Sequence, residues 1–161
     1  MNNNNEKKSL KFIEIMKNIY DNPEALSGVH GTVYDKEIIK SILENGIFSS
    51  DPELLRIIKA NKGEYSADFN FFCNYVYKPM LPEVVFVVSI PINTPNEEIF
   101  KKGTFRGQDG YFLDPKFIIG YYISHYAGKF NDDKTLFLND NYVDKTLFDK
   151  FKFEDNSEFH L

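Results

Sequence analysis

The stretch that decides the fold class is EVVFVVSIPI, residues 83–92, which contains the longest apolar run of the chain, VVFVV at 84–88. Its residues are mostly β-branched or aromatic, types that favour extended backbone. The run is far shorter than the ~18 residues that a membrane-spanning helix needs. A strand that is apolar on both faces is typical of the middle of a sheet, so we predict a buried central strand here.

Two amphipathic helices are predicted upstream of this strand. Ser9 is expected to cap the first, which the sequence DNPE at 21–24 ends. Asp35 is expected to cap the second, and Gly46 stands where a left-handed C-terminal stop is expected. Between the helices, residues 25–33 (ALSGVHGTV) are predicted to form a short strand. The apolar faces are assigned to Phe12, Ile13, Met16, Ile19 and Tyr20 in the first helix and to Ile38, Ile39, Ile42 and Leu43 in the second.

The remaining segments predict a further helix and several strands. Residues 48–63 have the capping pattern of a helix, 65–77 are ambiguous, and 93–103 indicate a loop with a short helix. Residues 110–113 and 116–126 predict two paired strands joined by a turn at Asp114 and Pro115. A further strand is expected at 134–140. Residues 1–8 are expected to be a disordered tail, and 9–161 a single α+β domain with a largely antiparallel sheet.

Composition and charge restrict the functional classes. The formal net charge is −5, which opposes non-specific binding to nucleic acid but leaves a local basic groove open. The single cysteine, Cys73, excludes an internal disulfide, and a buried thiol is favoured over a nucleophile there. No apolar segment predicts a membrane span or signal peptide, so the chain is expected to be cytoplasmic, or exported without a recognisable signal.

Three histidines are present, and His30 is the one that calls for an explanation. None of the three has the i, i+4 partner of a helical zinc motif, so no metal site is expected. His125 at a strand end is interpreted as structural and His160 as solvated. His30 stands before a glycine in VHGT, and the motif alone favours a half-buried structural histidine bonded to backbone over a ligand-binding one.

The order of several short motifs carries more information than any one of them. GVHGT is followed by a helix ending ILENGI, then by YSADFNFFCNY, VVFVVSI and DGYFLDPKFIIGYY. This order resembles the ADP-ribosyltransferase fold, and most of all its H-Y-E branch, which includes the poly(ADP-ribose) polymerases and RNA 2′-phosphotransferases. The resemblance covers roughly residues 25–123 and implies a split antiparallel β-sheet core with N-terminal helices.

The resemblance implies roles in binding NAD as a substrate. His30, Gly31 and Thr32 match its first motif, in which histidine contacts the ribose and glycine lets the backbone approach the nicotinamide. Tyr75 matches the tyrosine that stacks on the nicotinamide ring. Arg106 could contact the pyrophosphate or lie on the surface.

The third motif departs from the family pattern. The family places a glutamate before the strand that starts near Tyr111, and this chain has Gln108, Asp109 and Gly110 there. Asp109 is the preferred catalytic residue because an anion stabilises a developing positive charge better than the neutral Gln108 does. Asp109 could instead merely shape the turn GQDG. Phe117 occupies the position of a usual tyrosine.

Three functional hypotheses follow. The first is an NAD-dependent mono-ADP-ribosyltransferase, a bacterial toxin or effector among the options, with a macromolecular acceptor that we expect to be protein rather than nucleic acid. The second is an RNA 2′-phosphotransferase, which the acidic charge and the lack of a histidine between His30 and His125 oppose. The third is a catalytically degenerate fold that acts as a binding module. No membrane partner is expected.

Overall fold

The computed structural model describes residues 8–9, 12–51, 58–59, 83–124, 135–143 and 151–152. Its helices are α1 (Phe12–Asp21), α2 (Lys36–Asn45) and the one-turn α3 (Asn96–Ile99), with a 3₁₀ turn at Pro115–Phe117. Its strands are β1 (Lys8–Ser9), β2 (Ala25–Thr32), β3 (Ile47–Ser49), β4 (Ile58–Lys59), β5 (Val84–Pro91), β6 (Phe100–Phe105), β7 (Gln108–Leu113), β8 (Ile118–Ile123), β9 (Phe137–Leu138) and β10 (Phe151–Lys152).

The strands form two antiparallel sheets and one short parallel pair, which confirms the α+β class with mostly antiparallel pairing. The larger sheet has five strands in the order β4-β2-β5-β8-β9, and the smaller has three in the order β3-β7-β6. The short pair joins β1 to β10. As predicted, β5 is central, and Val84 to Val88 are at most 1% exposed because both faces of the sheet are covered.

Two buried clusters cover the two faces of the five-stranded sheet. On one face, α1 packs against Val29, Val85 and Val87. The other face packs against α2 and the three-stranded sheet, and we call this second cluster the inter-sheet core. It contains Ile39, Ile42, Ile47, Val84, Phe86, Val88, Ile99, Leu113, Phe117, Ile118, Tyr121, Ile123 and Phe137.

The second helix follows its sequence signals closely. Asp35 accepts hydrogen bonds from the N–H groups of Glu37 and Ile38, at 2.8 and 3.3 Å, and so caps α2 as predicted. At the other end, the Gly46 N–H donates to the Ile42 carbonyl at 2.8 Å. Gly46 has φ +99°, and there the chain leaves the helix and enters β3.

The predicted start and apolar face of the first helix were partly wrong. Ser9 lies in β1, so it does not cap α1, and Lys8 of the predicted disordered tail lies in β1 too. The buried face includes Ile15, whereas Ile13 is 47% exposed. Phe12, Ile15, Met16, Ile19 and Tyr20 follow the i, i+3, i+4, i+7, i+8 pattern of a single face, and Ile13 lies off that face.

The predicted pairing of 110–113 with 116–123 was wrong. β7 pairs with β3 on one side and β6 on the other, so both of its edges are occupied, and β8 belongs to the other sheet. Asp114 accepts a hydrogen bond from the Lys116 N–H at 3.0 Å, and Pro115 opens the 3₁₀ turn. This turn carries the chain from one sheet to the other.

Two further predictions need correction, and several lie outside the described residues. Residues 100–103, predicted as loop, belong to β6, and Ile58–Lys59, predicted as helix, form β4. The predicted strand at 134–140 is confirmed in part as β9. The remainder of the 52–63 helix, the 65–77 segment with Cys73 and Tyr75, His125 and His160 lie outside the described residues.

Candidate functional site

The β6–β7 hairpin positions the predicted catalytic residues. Its two-residue loop is Arg106-Gly107, with φ +52° and +78°, the positive values of a type I′ turn. Phe105 and Gln108 form the pair that closes the loop, and Thr104 and Asp109 form the next pair. Successive side chains of a strand point to opposite faces, so Gln108 and Asp109 lie on opposite sides of the sheet.

The Asp109 carboxylate lies in an open cleft of about 590 Å³. The Thr104 hydroxyl donates a hydrogen bond to Asp109 Oδ1 at 2.8 Å, which restrains the carboxylate although both side chains are exposed. Lys102 brings an ammonium group to the same cleft, and no salt bridge joins it to Asp109. The cleft is lined by Ser50, Lys102, Gly103, Thr104, Asp109, Gly110 and Tyr111.

This cleft lies on the side of the three-stranded sheet that faces the five-stranded sheet. Leu113 is buried in the inter-sheet core, and Tyr111 and Asp109 are two and four residues before it on the same strand. The alternation of side chains therefore places all three on one face, which we call the inner face of this sheet. Asp109 lies on the part of the inner face that projects beyond the inter-sheet core, where it is exposed to solvent.

His30 lies on the side of the five-stranded sheet that faces the inter-sheet core. It is half-buried and stands directly opposite Phe86, which belongs to that core. Cross-strand partners of an antiparallel pair share a face, and the register continues from Phe86 to Tyr121 and from Tyr121 to Phe137. One histidine and three aromatic rings thus form a row across β2, β5, β8 and β9.

The rings of this row are in contact, and the hydroxyl group of one of them, Tyr121, has a raised pKa. The Phe86 and Tyr121 centroids are 5.6 Å apart, and those of Tyr121 and Phe137 are 5.2 Å apart. Burial, with a smaller contribution from the nearby Tyr34 phenol, raises the pKa of Tyr121 to about 12. Tyr121 is therefore a neutral hydrogen-bond donor throughout the physiological pH range.

Glu83 forms two hydrogen bonds to the chain at the end of β2, which carries His30. Its N–H donates to the Thr32 carbonyl at 2.9 Å, and its carboxylate accepts from the Tyr34 N–H at 2.8 Å. These two bonds hold the segment that follows the VHGT motif against the start of β5.

The predicted site residues lie in two groups, and the lining of the Asp109 cleft does not include His30, Gly31 or Thr32. His30, Gly31 and Thr32 lie in β2 of the five-stranded sheet, and Asp109 lies on the inner face of the three-stranded sheet. The two groups therefore lie on the sides of the two sheets that face the same core. Gln108 points to the other side of its sheet, and Tyr75 lies outside the described residues.

Arg106 lies away from the cleft. Its guanidinium carbon is 5.1 Å from the centroid of the Phe105 ring. Phe105 is paired with Gln108, so this ring lies on the side of the hairpin opposite to Asp109.

Sequence reasoning did not find Lys102, Thr104 and Tyr111 of the cleft, or Tyr121, which lies two strands from His30 in the same row. The first three could be recognised only from the β6–β7 register, and the prediction of a loop at 93–103 gave no strand there to pair with β7. Tyr121 could have been found from its position in IIGYYI, where alternation separates it from Tyr122 on the opposite face.

Among the described residues, no three His, Cys, Asp or Glu side chains are grouped closely enough to hold a metal ion. In the same part of the chain, no helix has the length and apolarity needed to cross a membrane. Comparison with protein-family models, curated proteins and solved structures finds no match to this chain.

Proposed function

We propose that this chain is an NAD-dependent ADP-ribosyltransferase that transfers a single ADP-ribose unit to a macromolecular acceptor. The observation that supports this most directly is the Asp109 carboxylate, held by Thr104 at 2.8 Å and lining an open cleft on the inner face of the smaller sheet. The order of the sequence motifs, with VHGT on β2, supports the same assignment.

The proposed reaction requires a negative charge near the ribose of NAD. The bond between the ribose C1′ and the nicotinamide nitrogen breaks, and nicotinamide leaves with the electron pair. Positive charge then develops on the ribose, and a nearby carboxylate stabilises this transition state more than the ground state. An acceptor nucleophile finally bonds to C1′ and loses its proton. Asp109 is the anionic side chain that lines the cleft.

Solvent limits what an exposed carboxylate can contribute. Charge interactions are weak in water and grow stronger when water is excluded. NAD bound over Asp109 would exclude water from the cleft, and the Thr104 hydroxyl would keep the carboxylate in place. The electrostatic contribution of Asp109 is thus expected to appear mainly in the complex.

The remaining parts of NAD can be assigned to side chains of the two groups. His30 can donate a hydrogen bond to the nicotinamide ribose, and Gly31 gives the nicotinamide amide access to backbone. Lys102 lines the cleft and replaces Arg106 as the proposed cation for the pyrophosphate, because Arg106 lies over Phe105.

The experiment that tests this proposal uses the full chain, NAD labelled in its adenine ring, and a whole-cell lysate. We expect the label to transfer to a macromolecule and nicotinamide to be released in equal amount. The matched control is Asp109→Asn, checked for an unchanged circular dichroism spectrum. If wild type releases no nicotinamide and transfers no label, with or without lysate, the proposal is wrong; equal release by wild type and Asp109→Asn would overturn only the role of Asp109.

A further inference from the structure

The outer face of the three-stranded sheet, opposite to the cleft, carries three neighbouring aromatic rings. Phe48 lies 5.4 Å from Phe105 and 5.2 Å from Phe112, and Phe105 lies 6.3 Å from Phe112, between ring centroids. None of the three belongs to the buried clusters, and Phe105 is 36% exposed. We call Phe48, Phe105 and Phe112 the outer aromatic face.

Two of these rings have a structural explanation. A Cβ atom at Gly103 would lie 2.8 Å from the Phe112 ring, and one at Gly110 would lie 2.5 Å from the Phe48 ring. Phe112 and Phe48 therefore cover the bare backbone of two glycines, which protects the strands from solvent. Phe105 covers neither glycine, and it is the more exposed ring.

The charges on this face are positive. Lys101 lies four residues before Phe105 on β6, so the alternation of side chains places both on the same face. The Arg106 guanidinium lies 5.1 Å from the Phe105 ring centroid. The only acidic residue in β3, β6 and β7 is Asp109, which points to the opposite side. The whole chain has net charge −5, so this local cationic surface contrasts with the rest of the molecule.

Arg106 occupies a backbone position that does not suit it. Its φ of +52° is in the left-handed region, where a side-chain-bearing residue costs roughly 1–2 kcal/mol relative to glycine. Asn or Gly is preferred at this position of a type I′ turn. The guanidinium of this strained arginine lies over the Phe105 ring, which places a positive charge beside the outer aromatic face.

We propose that the outer aromatic face, with Lys101 and Arg106, binds single-stranded nucleic acid by stacking its unpaired bases. Aromatic rings on a sheet stack on bases of any sequence, while flanking Lys and Arg neutralise phosphates. This proposal concerns the opposite side of the hairpin from Asp109 and does not depend on NAD chemistry.

Fluorescence anisotropy with the full chain tests this proposal. The probes are labelled oligo-dT and oligo-rU of about ten nucleotides, within the usual site size of such surfaces, and a duplex of equal length. We expect binding to at least one single strand and weaker binding to the duplex. Preference for one of the two strands identifies DNA or RNA as the ligand. Two neutralised phosphates predict a slope of log K against log salt of roughly −1.4.

Two variants test stacking and charge separately, and a third variant is the control. Phe105→Leu keeps an apolar side chain but removes the ring, and we expect about tenfold weaker binding, the scale of one lost base stack. Arg106→Asn suits the turn, so we expect weaker binding and a salt slope reduced by roughly 0.7 with no loss of thermal stability. Lys40→Asn, an exposed cation on α2, is the control and should bind like wild type.

Several results would overturn the proposal. One is that neither strand binds at ~100 μM protein, where even non-specific binding is detectable. Another is duplex binding as tight as that of the single strands, because paired bases cannot stack on the sheet. A third is that Phe105→Leu and Arg106→Asn bind like Lys40→Asn. If Phe105→Leu or Arg106→Asn changes the sedimentation of the chain but not its oligonucleotide binding, the outer aromatic face is instead a protein interface.

Discussion

The Thr104 hydroxyl donates a hydrogen bond to the Asp109 carboxylate at 2.8 Å across the β6–β7 hairpin. The two residues are directly opposite each other in the ladder, so the bond is set by strand register. Gln108, the neighbour of Asp109, is paired with Phe105 and points to the other side. Of these two candidate residues, the hairpin therefore places only Asp109 in the cleft.

The first prediction concerns the carboxylate. Asp109→Asn is expected to lower NAD turnover by about 100-fold or more, the scale on which the loss of one preorganised electrostatic group acts. Affinity for NAD should change little, because the charge acts mainly on the transition state. Steady-state turnover and calorimetric binding of NAD measure the two effects separately.

Gln108→Ala is the matched control for this prediction. It changes the adjacent residue on the same strand without touching the cleft, so only a small effect on turnover is expected. The assignment of Asp109 is wrong if Gln108→Ala abolishes turnover while Asp109→Asn retains it.

The second prediction concerns the residue that positions the carboxylate. Thr104→Val has nearly the same shape but no hydroxyl, so Asp109 loses its restraint. We expect about tenfold slower NAD turnover, the scale of one hydrogen bond to a charged group, and little change in stability because the pair is exposed. Thr104→Ser should restore turnover. Equal rates for the Val and Ser variants would show that the hydrogen bond plays no part.

The third prediction concerns His30. His30→Ala is expected to weaken NAD binding by about 1–3 kcal/mol, the cost of a hydrogen bond lost from a partly desolvated pocket. Calorimetry with NAD and with nicotinamide measures it, and thermal unfolding checks that the variant is folded. Unchanged affinity in a folded variant would identify His30 as a structural residue.

Local signals were sufficient for the elements around the VHGT motif. The β-branched run of β5, the Asp35 cap and Gly46 each act over a few residues, and each prediction was confirmed. The partition of strands between the sheets was not predictable in this way. β7 and β8 are close in sequence, and only the pairing of β7 with β3 and β6 shows that they cannot pair with each other.

The same limit applies to the candidate site. The strand at 110–113 was predicted to begin at Gly110, so Gln108 and Asp109 stood in a turn and their faces were undefined. Extending β7 to Gln108 defines both faces by alternation. Lys102 and Thr104 could be recognised only after β6 was known to be a strand, and the sequence FKKGTF has no regular apolar alternation.

The fourth prediction compares two glycines with positive φ. A Cβ atom at Gly46, where φ is +99°, would lie 3.0 Å from the Leu113 carbonyl carbon and closer still to its oxygen. At Gly107, where φ is +78°, nothing lies within 4 Å. Gly46→Ala should therefore lower the free energy of unfolding by more than about 2 kcal/mol, and Gly107→Ala by about 1 kcal/mol.

Urea unfolding at constant m-value measures both changes. The two variants differ both in the overlap with Leu113 and in backbone strain, because φ +99° with ψ −176° at Gly46 is essentially a glycine-only conformation. Equal losses at both positions would mean that the junction of α2 with β3 relaxes easily. In that case the contact between Gly46 and Leu113 does not fix the smaller sheet against α2.

The fifth prediction concerns the pH dependence of stability. Burial and the nearby Tyr34 raise the pKa of Tyr121 to about 12, whereas a tyrosine in the unfolded chain titrates near 10. Between these values the unfolded chain loses the proton and the folded chain keeps it. The stabilisation is therefore fully present below pH 10 and is lost as pH rises through this window.

We expect this loss to be on the order of 1–2 kcal/mol, less than full conversion of the shift, because a folded chain relaxes around a buried charge and admits water to it. The chain has 10 tyrosines, so the wild type must be compared with Tyr121→Phe to isolate one of them. Urea unfolding from pH 8 to pH 12 measures the difference. The wild-type curve should fall more steeply than the variant curve above pH 10. Parallel curves would mean that the Tyr121 hydroxyl is not buried in the folded chain.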